Sequence, residues 1–169
     1  MKVGLLSDTH GFLDNRIAGH FKDCDEIWHA GDIGPAVADE LQKIKPLIAV
    51  FGNIDGANIR TTYPEFVETE IQGLKILMTH IAGNPPTFTK KVKQRILNWN
   101  PEVLICGHSH IAKVYRDPEN NNLLFINPGA AGNHGFHRIK TIMKFDILDG
   151  KIKDLRIIEL GKRGDLTLQ

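Results

Sequence analysis

Asp8 and His10 stand two residues apart at the end of the apolar run Val3-Gly4-Leu5-Leu6, and Gly11 follows where the chain must turn. A carboxylate oxygen and an imidazole nitrogen presented together suit Mn²⁺, Fe²⁺ or Zn²⁺. Taken alone the pair is commonplace. The same arrangement recurs downstream, however: Gly31-Asp32 after Ile27 to Ala30, Gly52-Asn53 after Leu47 to Phe51, His80 after Ile76 to Thr79, and Gly107-His108-Ser109-His110 after Val103 to Cys106. Each apolar stretch of strand length ends in a potential metal ligand, and in open α/β sheets the crevice beyond such strand ends is where ligands bind.

Asp8, His10, Asp32, Asn53, His80, His108 and His110 are too many donors for one tetrahedral ion. They suit two ions about 3.5–4 Å apart that share a bridging group, for which a carboxylate is the natural choice. Two divalent ions, less the charges of two aspartates and one hydroxide, leave roughly +1, enough to attract a phosphodiester anion without a basic surface.

The elements that must position these residues can be read from periodicity. Residues 2 to 7 form a first strand, Leu13, Ile17 and Phe21 mark one face of a helix, and Ile27 to Gly31 form a second strand. Pro35 opens a helix whose inner face is Val37, Leu41 and Ile44, with Pro46 beyond it and a third strand from Leu47 to Phe51. This β-α-β-α-β order predicts a parallel sheet. Strands 66–71 and 75–78 flank a turn at Gln72-Gly73, and a basic helix runs from Thr89 to Trp99 with Val92, Ile96 and Leu97 inward. Strands follow at 103–106, 112–116, 123–126, 140–148 and 151–159, the last two joined at Asp149-Gly150. Two packed sheets with helices outside are expected, in one domain over residues 1–169 with a frayed tail from residue 160.

Composition narrows the classes. With 21 Lys and Arg against 20 Asp and Glu, the net charge of +1 gives no footprint for a nucleic-acid polymer or a membrane surface. Cys24 and Cys106 are far apart and read as small buried hydrophobes, not as a disulfide or thiolate metal site. The N-terminus leads straight into a strand without a secretion signal, so a cytoplasmic protein is expected.

The ordered series Asp8-x-His10, Gly31-Asp32, Gly52-Asn53, His80 and Gly107-His108-x-His110 resembles the calcineurin-like metallophosphoesterase superfamily from residue 3 to about 130. The short chain resembles its compact branch of small phosphodiesterases, related to the retromer scaffold subunit. The resemblance implies a four-layer α/β/β/α sandwich with a dinuclear site at the strand carboxyl ends. It places one metal on Asp8, His10, Asp32 and His110 and a second on Asp32, Asn53, His80 and His108, with Asp32 as the bridge. Mn²⁺ is the expected ion, with Fe²⁺, Zn²⁺ or Ni²⁺ as alternatives. The implied reaction is in-line attack on a small phosphodiester by a hydroxide held between the metals, and self-association is common among small members of the branch.

Three departures from the pattern stand out. Many members carry histidine after the asparagine as a leaving-group acid, followed by aspartate; here the pair is Ile54-Asp55. Loss of an acid typically worth 10²–10⁴-fold favours esters whose leaving group needs little protonation. His80 is followed by Ile81-Ala82-Gly83, where many relatives have glycine directly, and Asn127-Pro128-Gly129 matches a late motif that here continues with Ala130. His134, His137 and Arg138 occupy a loop where relatives place substrate-facing groups, so with Asn53 they are candidate substrate contacts, while His20 and His29 read as structural or solvated. A phosphomonoesterase and a metal-binding protein-interaction scaffold are the alternative readings.

Overall fold

Period-two alternation along β1 (Lys2–Leu6) assigns its side chains to two different layers. Val3 and Leu5 join a core with Ile76, Met78, Val103, Ile105 and Ile126, whereas Leu6 faces the other way, onto Ile17, Phe21 and Leu41. The computed structural model describes residues 1–164.

The first sheet has five strands in the order β12 (Lys151–Lys162), β11 (Ile139–Leu148), β1, β2 (Glu26–His29) and β3 (Leu47–Ala49). β1, β2 and β3 are mutually parallel, as the β-α-β-α-β order predicted, with α1 (Arg16–Phe21) and α2 (Val37–Ile44) as the crossovers. β11 returns antiparallel beside β1 and forms the expected hairpin with β12.

The second sheet also has five strands, in the order β4 (Phe66–Ile71), β5 (Leu74–Thr79), β8 (Val103–Ile105), β10 (Leu123–Pro128) and β9 (Ala112–Asp117). β5, β8 and β10 are parallel, and β4 and β9 close the two edges antiparallel. The sheets face each other across the core that takes Val3 and Leu5. α1 and α2 cover the outer face of the first sheet, while α4 (Lys90–Trp99) covers that of the second through Val92 and Ile96 on Leu77, Leu104 and Phe125. This is the α/β/β/α arrangement, built from two mixed sheets.

Several expectations are corrected. Leu97, expected on the inner face of α4, is 83% exposed; Val92 and Ile96 are the α4 residues that join the apolar cluster under the helix. The tail does not fray at residue 160: β12 pairs along β11 as far as Lys162, and Leu160 is buried in the helix-side cluster. The part of the expected tail from residue 165 lies outside the described residues. β3 ends at Ala49, two residues before the expected Phe51. The short helix α3 (Ala57–Thr62) and the small hairpin of β6 (Gly83–Asn84) and β7 (Thr87–Phe88) carry no apolar period that would have revealed them. Cys24 and Cys106 are both free and buried, as expected. Among the described residues, no helix is long and apolar enough to cross a membrane.

The packing of α1 on β1 depends on a missing side chain. A Cβ on Gly4 would sit 2.6 Å from the Phe21 ring. Gly4→Ala is therefore expected to destabilise the fold by about 2 kcal/mol, the usual cost of overpacking, and to lower the urea midpoint without changing the slope of the transition.

Candidate dinuclear metal centre

Parallel strands from both sheets end at one edge of the sandwich, and backbone hydrogen bonds carry the pairing beyond them. Asp8 N–H donates to Gly31 O (3.0 Å), His10 N–H to Asp32 O (3.0 Å) and Gly107 N–H to His80 O (3.1 Å). The loops approach this closely because glycines stand at the crossings. A Cβ on Gly52 would lie 2.0 Å from Asp32 Oδ1, and one on Gly107 would lie 1.9 Å from Ser7 Oγ. Glycine here makes room for one loop of the cluster against another.

Within this edge the seven ligand-type residues fall into two groups with an amide beside the second. Asp8, His10 and His110 have ligand atoms within 4.8 Å of one another, and so do those of Asp32, His80 and His108. Asn53 Oδ1 lies 3.1 Å from His80 Nε2. Asp8, His10, Asp32, His108 and His110 all have φ between 49° and 68°. That left-handed region is unfavourable for residues with a Cβ, and such strain gathers at functional sites.

Each buried aspartate is held by one oxygen and presents the other. His108 N–H donates to Asp8 Oδ2 (3.0 Å), while Asp8 Oδ1 is buried without a hydrogen-bond partner and lies 3.2 Å from His110 Nε2 and 3.9 Å from both His10 and His80 Nε2. Ile54 N–H donates to Asp32 Oδ1 (3.0 Å), leaving Oδ2 3.2 Å from His80 Nε2 and 3.8 Å from His10 Nε2. Asp32 Oδ2 thus sits between the two groups. An unpartnered buried carboxylate oxygen is costly without a positive charge. Facing imidazole nitrogens, it fits a divalent cation.

The histidines are arranged to the same end. His80 Nδ1 is 2.8 Å from Ala30 O, so it carries the N–H and Nε2 is turned toward Asn53 and Asp32. Burial pushes the pKa of His10 and His108 down, which favours neutral rings. For His80 burial acts the same way, but the hydrogen bond to Asp32 and the charges of Asp8 and Asp32 outweigh it, and its pKa is raised. Burial opposes ionisation of Asp32, yet the hydrogen bond and charge of His80 outweigh it and hold the carboxyl low.

Groups behind the ligands tie the loops together. Asp55, which sequence reading paired with the absent acid, turns its carboxylate inward and accepts from the N–H groups of Ile33 (3.1 Å), Gly34 (2.8 Å) and Gly52 (2.8 Å). Asn127 of the Asn-Pro-Gly motif donates to Gly107 O (2.7 Å) and Ser109 Oγ (3.1 Å). His29 is fully buried; its Nδ1 accepts from Gly31 N–H (3.2 Å) and its Nε2 donates to Thr9 Oγ1 (2.9 Å), which donates to Ile33 O (2.7 Å). It bridges the Asp8–His10 loop to the Asp32 loop. No spacing rule in the sequence marks it out, since its partners are a backbone N–H and a threonine.

Of the candidate substrate contacts, Asn53 is inside the cluster and two others border it. The His134 ring centroid is 5.0 Å from that of His10, and His137 is 5.3 Å from His110 with Nε2 on Gly132 O (2.9 Å). Arg138 is exposed, and its side chain makes no hydrogen bond or ion pair with the cluster among the described residues. Ile54, at the position of the missing acid, is 47% exposed.

A sequence model of the calcineurin-like phosphoesterase superfamily domain matches residues 1–150, nearly the whole of the region that contains this site. The chain belongs to the calcineurin-like phosphoesterase superfamily. It is 29% identical over 177 aligned positions to a phosphodiesterase of Methanocaldococcus jannaschii, covering 95% of this chain and 99% of that one. A solved archaeal phosphodiesterase superposes with a TM-score of 0.74 at 28% identity, over 95% of this chain and 100% of the other. The fold is shared with Vps29 of Entamoeba histolytica, solved with zinc bound, at a TM-score of 0.70 and 17% identity over 94% and 99% of the two chains.

Two predictions follow from the electrostatics. A metal ion held by His80 would have to displace the proton that its raised pKa retains, so Mn²⁺ affinity is expected to fall with acidification, with protons released on binding. Calorimetry in buffers of different ionisation heat measures both. His29 is neutral because burial pushes its pKa down to about 4. Its unfolded form binds a proton below about pH 6.5, so stability falls with acidification between these values by up to about 1.4 kcal/mol per pH unit. His29→Gln should flatten that part of the stability profile while lowering stability at pH 7, as read by urea unfolding.

Proposed function

We propose that the protein is a phosphodiesterase that uses two divalent ions, Mn²⁺ foremost, to hydrolyse small phosphodiesters. The observation that carries the reading is the pair of buried aspartates, each with one oxygen fixed by a backbone N–H and the other turned into a ring of imidazole nitrogens. Asp8, His10, Asp32 and His110 would hold one ion and Asp32, Asn53, His80 and His108 the other. Bound there, two such ions supply Lewis-acid activation of water and neutralise charge on the phosphoryl oxygens.

The protein's own part is positioning. Backbone N–H groups of His108 and Ile54 keep Asp8 and Asp32 from rotating away, and Ala30 O fixes the His80 tautomer. Asp55 and Asn127 hold the loops that carry Asp32, Asn53 and His108. Such preorganisation is what lets charge stabilisation act without reorganisation during reaction. The half-exposed Ile54 supplies no proton, which supports a diester with a good leaving group over a monoester. The likeness to an archaeal phosphodiesterase, in sequence and in solved structure and over almost the full length, supports the same choice.

The test is metal content of the purified protein together with hydrolysis of bis(p-nitrophenyl) phosphate and p-nitrophenyl phosphate in Mn²⁺. The diester should be the faster substrate. Asp32→Ala should lower its turnover by about 100-fold or more, since groups merely behind metal ligands are worth 10–100-fold, and should reduce bound metal in parallel. A faster monoester would make the protein a phosphomonoesterase. Absence of metal and of Asp32-dependent hydrolysis would leave the interaction scaffold.

A further inference from the structure

Beside the metal-type cluster lies a cleft of about 600 Å³ walled by Gly34, Pro35, Ile54, Asn58, Ile59 and Tyr63. Two of its lining residues, Gly34 and Ile54, follow Asp32 and Asn53 in the chain. Gly34 packs so tightly on the Asp8–His10 loop that a Cβ there would lie 2.2 Å from Gly11 N and 2.8 Å from the His10 carbonyl carbon. Ile54, at the lip, is tied through its N–H to Asp32 Oδ1. Gly34 and Ile54 thus belong both to the cleft wall and to the loops that carry His10 and Asp32.

The cleft's chemistry restricts what it can take. Its volume falls within the range of small-molecule sites, about 300–1,000 Å³. Pro35, Ile54 and Ile59 offer apolar surface and Asn58 a side-chain amide; Gln42 donates to the Tyr63 hydroxyl (2.9 Å) and Thr62 Oγ1 to Asn58 O (2.9 Å), so these keep part of their hydrogen-bonding capacity for a ligand. The sole charged side chain in the lining is Asp39, a carboxylate. An organic group bearing a further phosphate would meet that charge without a cation to offset it. A neutral group with flat apolar faces and several hydroxyl or amide functions meets no such cost.

We propose that this cleft is the subsite for a neutral, nucleoside-sized organic group esterified to the phosphate, an inference that rests on the phosphodiesterase reading. The substrate class is then a small diester with one uncharged nucleoside-like arm, and chains that continue through further phosphates are disfavoured.

The experiment compares two diesters with the same leaving group, thymidine p-nitrophenyl phosphate and methyl p-nitrophenyl phosphate, on the Mn²⁺-loaded protein. The expected ratio of kcat/KM is at least about tenfold in favour of the thymidine ester, in the range that modest pocket contacts supply. Asn58→Trp, at an exposed position on the cleft wall, should bring that ratio close to one, and a ratio does not depend on the fraction of correctly folded variant. Thymidine itself, titrated into the metal-free protein, should shift the backbone amide signals of Gly34, Ile54, Asn58 and Thr62, and should not do so in Asn58→Trp. Equal kcat/KM for the two esters with no thymidine-dependent shifts would overturn the subsite. Thymidine shifts at these residues without hydrolysis of either ester would uphold the cleft and sink the phosphodiesterase reading.

Discussion

Two buried carboxylates, Asp8 and Asp32, each lie within 3.9 Å of the Nε2 atoms of His10 and His80, and among the described residues neither pairs with a lysine or arginine. One oxygen of each is satisfied by a backbone N–H, from His108 for Asp8 and from Ile54 for Asp32. The remaining oxygens face imidazoles, and Asp8 Oδ1 has no hydrogen-bond partner at all. Burying negative charge in this way opposes folding unless a cation or a proton offsets it. The raised pKa of His80 is one response, and divalent cations would be a fuller one.

Contrast with a neighbouring pair shows what ordinary ion pairing looks like in the same fold. Asp14 is also buried, but it accepts from Arg16 and from the fully buried Lys140, and those partners hold its carboxyl well below the usual range. There the charge is closed off with side chains from the chain itself. At Asp8 and Asp32 the chain supplies histidines, which can be neutral and lend lone pairs, in place of permanent cations. The two kinds of buried carboxylate thus differ in their partners more than in their burial.

The parallel order of the first three strands, the late hairpin and the gathering of ligand-type side chains at the strand ends were legible in the sequence because each rests on local signals: period-two or period-four apolar spacing, and turn residues at the ends. α3 escaped because Ala57 to Thr62 holds a single large apolar residue, Ile59, and no stripe. Leu97 was misplaced because apolarity alone put it with Val92 and Ile96, although five residues from Val92 is about 140° around the helix and four residues, at Ile96, returns to the same face. The roles of Asp55, Asn127 and His29 were illegible for a different reason. Their partners are main-chain groups of loops distant in sequence, which no residue pattern encodes. Ile54 illustrates the converse: its side chain departs from the resemblance, yet its backbone N–H serves Asp32 all the same.

The left-handed backbone at Asp8, His10, Asp32, His108 and His110 bears on how such a site can be lost. Aspartate and asparagine tolerate that conformation better than β-branched residues do, and glycine adopts it freely. Drift at these positions is therefore channelled toward Asn and Gly, which preserve the loops while weakening or removing metal ligation. A descendant could keep the sandwich and the shape of its edge after the chemistry had gone, and its remaining surface would be free to be selected for something else.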